Sequence, residues 1–485
     1  MEQSEKTSLL STHPINGGSD NNVTVRSTNQ YTKLTADDIL NYIGMGPFQL
    51  IAFLLTSLTY LSYALDSSIF VFLTDSVMQE FNLTQTYYTV LPATTGLSNV
   101  FGAFFFSYMT DRFGRVWPYM LCLIWIGVFS VASAFATSFP LLIAMRLLAS
   151  LGIGGVNGLT FPTLVEFLPV KNRGKISVLV LLIGSIGTVV STGLAWWLIP
   201  NYTDGWRYYI AACGVPMILV ALFRLVFYFE SPRYLITRGK TLKAWKIFRI
   251  IGKFNFKDLM KYMSFNEFKN AMEDDQTSNM KQKVIFLQLL EIFKPKYLRI
   301  TLSLTVINIT ESFGYLSSQL FLPEFVEKLN VDKYFTVLVS ALAQIPGLLL
   351  MSIIIEWPRV GRLNTLRLFA ILSAVSFLLL ALIQTDISIP VLVVFIYFSS
   401  CPNLSLIYTY VSEVYPTQIR SVSTAYFYTL QALSYLVGAF ISNAVLTVRF
   451  HWLFPAVWSL IFCIQFIAAL ALNYEPYNKK LKDTL

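Results

Sequence analysis

"VEFLPVKNRG" (165–174) and "SEVYPTQIRS" (412–421) share one frame: Glu, two residues, Pro, three residues, Arg, then a small residue. Glu166, Pro169, Arg173 and Gly174 become Glu413, Pro416, Arg420 and Ser421 after a shift of 247. The same shift carries "DRFGR" (111–115) onto "PRVGR" (358–362), so that Arg112, Gly114 and Arg115 map onto Arg359, Gly361 and Arg362. A lone Arg-x-Gly-Arg would be weak evidence. Two motifs in one register indicate that the chain is built from two related halves.

The material between the motifs says what kind of halves these are. The chain of 485 residues is 55% hydrophobic and 13% charged, with mean hydropathy +0.58. A soluble protein carries about 25% charged residues. "WPYMLCLIWIGVFSVASAFA" (117–136) has no charge and is long enough to cross a hydrocarbon core of about 30 Å. Twelve such runs occur, centred near residues 60, 98, 127, 154, 187, 218, 308, 345, 375, 400, 434 and 462. Hydrocarbon offers the backbone no hydrogen-bond partner, so each run is predicted to be a helix. The expected fold is an all-α membrane protein of twelve transmembrane helices in two pseudo-symmetric six-helix halves. The expected divisions are a disordered cytosolic tail (1–45), the first half (46–230), a basic cytosolic linker with short helices (231–297), the second half (298–473) and a cytosolic tail (474–485).

Several function classes are excluded. Cys122, Cys213, Cys401 and Cys463 fall inside the runs and imply no disulfide framework. His13 and His451 give neither a metal spacing nor a hydrolase triad, and no phosphate loop of a nucleotide-driven pump is present. No enzyme activity, metal or cofactor is expected. The net charge of +9 reports basic loops rather than a nucleic-acid partner. Residues 233–299 hold fifteen Lys and Arg and fall on the side of the two repeated motifs. That side is predicted to be cytosolic, with both termini on it.

The motifs carry a family resemblance. The chain resembles the major facilitator superfamily over nearly all of its length. "DRFGR" looks like its signature between spans 2 and 3, "RLLASLGIGG" (146–155) like its span-4 motif, and "FESPRYL" (229–235) like a signature shared by sugar porters and organic-ion transporters. "DDILNYIGMGPFQ" (37–49), Asp66 and "IYTYVSEVYPTQIRS" (407–421) resemble the synaptic-vesicle-two-related group. Span 5 has no Gln, and span 7 lacks the paired Gln of sugar porters, which argues against glucose-type recognition. The resemblance implies a cytoplasmic gate built from Asp111, Arg112, Gly114, Arg115, Glu166, Arg173, Glu230 and Arg233, repeated by Glu356, Arg359, Arg362, Glu413 and Arg420. The motif Asp, Asp111, has Pro358 as its counterpart.

A carboxylate at the bilayer centre costs at least about 2.5–3.5 kcal/mol. Asp66 in span 1 and Glu311 in span 7 are therefore the sharpest functional signals. Tyr63 lies one turn from Asp66, and Asn308 and Tyr315 lie one turn either side of Glu311. Asn157, Tyr408, Gln431 and Tyr435 sit in spans expected to line a central cavity. Two acids without a buried Lys point to a cationic solute, to proton coupling, or to both. A competing expectation is structural: Asp66 pairs with Arg146 of span 4 or Arg224 of span 6.

The expected function is secondary active transport of a small organic solute, charged or uncharged, by alternating access, with protons as a coupling partner. The alternatives are a sugar-type facilitator, and a membrane receptor or trafficking protein that keeps the fold without transporting. Glu5 with Leu9 and Leu10 resembles an acidic dileucine signal read by sorting adaptors, which would place the protein in endosomal or lysosomal membranes; a vesicle membrane and the plasma membrane are the alternatives. Asn82 and Asn201 are the candidate glycan acceptors outside the cytosol.

Overall fold

The computed structural model describes residues 36–473 apart from 170–172, 228, 260–262, 271–289, 328, 330, 331, 356, 358, 359, 386, 416, 447 and 449. Eleven helices among the described residues are long and apolar enough to cross a membrane. They are span 1 (Pro47–Phe81), 2 (Val90–Phe113), 3 (Val116–Ser133), 4 (Phe139–Val165), 5 (Arg173–Asn201), 6 (Gly205–Val226), 8 (Lys333–Ile354), 9 (Gly361–Leu382), 10 (Ser388–Val414), 11 (Thr417–Leu446) and 12 (Leu453–Leu470). Span 7 is the twelfth. It runs from Pro295 to Glu311 as α-helix, from Ser312 to Leu316 as a π turn, and from Ser317 to Glu327 as α-helix again.

Local chemistry sets several ends. Spans 1, 4 and 7 begin with Pro in the first turn, where its missing N–H costs nothing. Asp332 caps span 8 by accepting from the Phe335 amide at 3.1 Å. The outer surface inverts the soluble pattern: Phe101, Phe104 and Phe105 of span 2 are each more than half exposed, as lipid-facing side chains are.

The two halves repeat in backbone detail. Gly114 (φ 102°) and Gly361 (φ 64°) stand at the same place in the repeated motifs, and both adopt a positive φ that side-chain-bearing residues avoid. The first span of each half is also broken just beyond its acid. Span 1 interrupts at Ser68, two residues after Asp66, and span 7 turns π directly after Glu311.

Close approach needs small residues. A Cβ at Gly102 of span 2 would strike the Leu151 carbonyl, and one at Gly154 of span 4 would strike the Asn99 carbonyl. In the second half, Gly347 of span 8 meets the Phe398 carbonyl of span 10 in the same manner.

The largest apolar cluster joins the halves at the end away from the linker. It combines Phe72, Leu73 and Val77 of span 1 with Phe321, Leu322 and Phe325 of span 7. There Phe72 also stacks on Tyr334 of span 8, with centroids 5.7 Å apart. At the linker end the buried clusters belong to one half each, apart from Val178 of span 5, which packs on the second half.

One of those clusters fastens the linker to the first half. The short helix Ala36–Ile43 places Ile39, Leu40 and Ile43 against Trp245, Phe248 and Ile251 of the linker helix Thr241–Phe254. Asn255 completes the joint, accepting from the Phe48 amide at 3.2 Å and donating to Gln49 at 2.7 Å.

Candidate transport site

Asp66 and Arg146 are both fully buried in the first half. Arg146 holds the carboxylate with two N–H groups: Nη1 to Oδ1 and Nη2 to Oδ2, each at 3.1 Å. Ser130 of span 3 donates to Oδ1 and accepts from Arg146 at 3.0 Å. The guanidinium also lies over Phe70, 4.9 Å from the ring centroid. Of the two partners expected for Asp66, the structure selects Arg146. Arg224 lies elsewhere, 3.2 Å from the Thr56 hydroxyl and 3.5 Å from that of Tyr119.

The pair has no twin. The 247 shift carries Asp66, Ser130 and Arg146 onto Phe313, Phe377 and Val393. The second half instead buries Glu311 among amides. Gln465 of span 12 donates to its Oε2 at 2.7 Å, and Asn403 of span 10 stands beside it. Gln465 Oε1 and both amide atoms of Asn308 are buried with no hydrogen-bond partner among the described residues. No described cation reaches this carboxyl within ion-pair distance.

The π turn alters the expected face. Tyr315 does not stack a plain α-helical turn above Glu311, because a π turn adds a residue to the repeat. Its hydroxyl accepts from Gln319 at 2.8 Å, and its ring meets Tyr397 edge-on. Trp458 of span 12 donates to the Gly314 carbonyl at 3.0 Å, satisfying one backbone acceptor within the turn.

Tyrosines line the seam between the halves. Tyr60 and Tyr63 of span 1 lie 5.3 Å apart by centroid, and Tyr60 also meets Phe161 of span 4 at 5.3 Å. Asn157 of span 4 lies beside Tyr63. Across the seam Tyr408 stacks on Tyr428 at 4.7 Å and donates to Gln431. Tyr60 and Tyr428 are electrostatic neighbours, as are Tyr63 and Tyr435. Tyr435 packs against Gly96 of span 2, so the contact crosses the two halves. These side chains are half-buried although their spans are at mid-course, which is what a polar, incompletely filled seam produces. Tyr60 and Tyr428 were not singled out from the sequence, since a tyrosine in an apolar run gives no signal of which way it faces.

The gate residues divide differently from the expectation. Arg115 pairs with Glu166 at 3.4 Å. Burial pushes the Glu166 carboxyl above its ordinary range, and Arg115 opposes part of that rise. Glu230 accepts from the backbone amides of Arg115 and Ser231, at 2.8 and 2.9 Å, and so ties the two motifs. Arg112 is exposed and donates to Tyr108 at 3.3 Å. Arg173 and Arg233 both pair with Asp37 of the helix before span 1, a residue to which the motif resemblance gives no gate role. Burial lowers the Arg233 proton affinity, and Asp37 counters it.

Glu356, Arg359, Glu5, Leu9 and Leu10 lie outside the described residues, as do the side chains of Asp111, Glu413 and Arg420. Arg362 follows the positive-φ Gly361 in the second-half motif. Asn82 is exposed at the left-handed end of span 1. Asn201 is the last residue of span 5 and donates to the Trp197 carbonyl at 2.7 Å.

Two six-span bundles facing each other across a polar seam, sealed at one end by apolar side chains, are a membrane transporter of the alternating-access class. The family model described as the Major Facilitator Superfamily matches residues 53–439, and the chain belongs to that superfamily. As such it is a multi-pass secondary transporter of small solutes. The chain is 24% identical to organic cation/carnitine transporter 7 of Arabidopsis thaliana, over 80% of this chain and 84% of that one. It is 26% identical to the synaptic vesicle 2-related protein of Xenopus laevis, over 92% of this chain and 82% of that one. The proton:xylose symporter XylE bound to 6-bromo-6-deoxy-D-glucose superposes with a TM-score of 0.73 at 18% identity, over 90% of this chain and 98% of that one. XylE from E. coli in a partially occluded inward open conformation gives 0.68 at 17% identity, over 87% and 96%. These likenesses establish the fold.

Proposed function

We propose that the chain carries a small organic cation across the membrane, coupled to protons through Asp66. The observation that carries the reading is the Asp66–Ser130–Arg146 triad, buried beside Tyr63 and the tyrosine-lined seam. A carboxylate clamped by arginine is fixed while ionised. When the clamp opens during the swing of the halves, a proton can replace the guanidinium, and the carboxyl crosses neutral. Tyr60, Tyr63, Tyr408, Tyr428 and Tyr435 offer π faces of the kind that hold alkylated ammonium groups. Glu311 and its amides add a second acidic group with no competing cation among the described residues. The similarity to an organic cation/carnitine transporter and to a proton:xylose symporter agrees with these two halves of the reading.

Proteoliposome uptake tests it. A panel of quaternary ammonium compounds and neutral sugars is offered with and without a pH gradient. The reading expects cation uptake that the gradient accelerates. Sugar uptake alone would favour a sugar-type porter, and uptake indifferent to pH would remove the proton.

The protein is further proposed to act in a vesicle or endosomal membrane, with both termini cytosolic. The acidic dileucine and the vesicle-related relatives support that address. Leu9→Ala with Leu10→Ala should shift it to the cell surface.

A further inference from the structure

Arg224 has no task in the transport reading, yet its guanidinium is an uncompensated charge inside the first half. Among the described residues no carboxylate lies within ion-pair distance. Its Nη2 reaches only the Thr56 and Tyr119 hydroxyls, and its carbon lies 4.4 Å from the Tyr119 ring centroid. Both hydroxyls are already engaged: Thr56 donates to the Ala52 carbonyl at 2.7 Å, and Tyr119 is paired with Thr160 at 3.0 Å. The Arg224 Nε–H is buried without a partner. A guanidinium so placed, with its Nε–H buried and unpartnered, is stabilised when an anion joins it.

A cavity of about 60 Å³ lies against this guanidinium. Phe48, Leu55, Met120, Phe167 and Phe229 line it, and it sits among the linker-side ends of spans 1, 3, 4 and 6. One water needs about 10–15 Å³ of such space, so there is room for a phosphate or carboxylate and none for a whole lipid. The flank beside it is apolar and exposed: Trp117, Phe223 and Phe227 face outward. A head group fits inside, with acyl chains lying along that flank.

We propose that Arg224 and this cavity form a binding site for the anionic head of an acyl-chain amphiphile from the linker-side leaflet, foremost a phospholipid phosphate. Basic pockets between spans on that side of a membrane suit such heads. The site is separate from the seam and does not depend on what the protein carries.

Native mass spectrometry of the purified full chain tests it, with dioleoylphosphatidate, dioleoylphosphatidylcholine and oleate as probes. The wild type should bind one phosphatidate at least about tenfold more tightly than phosphatidylcholine, as a charge-assisted contact predicts. Arg224→Gln should lose that one preferred lipid and leave the weaker surface binding unchanged. Its folding should survive, since it strands no partner. Ala52 also lines the cavity, so Ala52→Phe fills it while keeping the charge, and should lose the same lipid even if Arg224→Gln cannot be purified. Oleate displacing phosphatidate at equal strength would name a fatty-acid carboxylate as the source and support the site. No preference over phosphatidylcholine, or a preference that both variants keep, would overturn it.

Discussion

Arg146 grips both carboxylate oxygens of Asp66 at 3.1 Å each, with Ser130 bridging the two side chains. Three spans of the first half thus meet at one buried ion pair, and the second half has only apolar residues at the matching positions. Coupling, on this account, belongs to the first half, while solute selection is shared across the seam.

Removing one member of the pair strands the other. Arg146→Leu should lower stability by about 3–5 kcal/mol. Asp66→Leu together with Arg146→Leu should recover most of that loss, because no charge is then left in the interior. Detergent-solubilised thermal unfolding of the single and double variants gives the comparison. Equal losses in both would mean that the two residues are not energetically linked.

Glu311 is expected to behave in the opposite way. Its neighbours are amides and no described cation faces it, so Glu311→Gln strands no charge. Its effect on stability should stay within about 1.5 kcal/mol, the worth of an ordinary hydrogen bond. Uptake of an organic cation should nevertheless fall through weaker affinity. A variant that loses stability as Arg146→Leu does would reveal a counter-charge.

The paired glycine turns give a backbone test. Gly114→Ala and Gly361→Ala force a side chain into positive φ, at about 1–3 kcal/mol each. Gly114→Ala should be the worse, since its Cβ would also strike the Glu230 carboxylate that holds the Arg115 amide. Thermal unfolding of the two variants should show that order; a neutral Gly114→Ala would contradict the strain argument.

Much of this was legible in the sequence. The repeated Arg-x-Gly-Arg pointed to two related halves, and its two glycines, Gly114 and Gly361, share a positive φ. The acids at Asp66 and Glu311 stood out because hydrocarbon makes a charge expensive. Periodicity does not report depth, so Arg146 and Arg224 were equal candidates for Asp66 until the spans were in place. The π turn after Glu311 left no mark either, since "SFGYL" is compatible with an ordinary helix. Asp37 was missed as a gate partner because nothing in "DDILNYIGMGPFQ" tells that its helix folds back under Arg173 and Arg233.

That arrangement puts Asp37 between two arginines that the family resemblance assigns to the gate. Asp37→Asn leaves two half-buried guanidinium groups without their shared carboxylate. Labelling of a cysteine introduced at the linker-side mouth should rise, and Arg173→Ala should raise it as well. Unchanged labelling in both would reduce the cluster to a structural joint.

The most direct test is Asp66→Asn in proteoliposomes, which keeps the shape of the side chain and removes the charge. Provided the variant is purified in folded form, it should still exchange solute across the membrane at equal pH. It should fail to accumulate solute when a pH gradient is imposed. Normal gradient-driven accumulation by a folded Asp66→Asn would contradict the assignment of the coupled proton to this carboxylate.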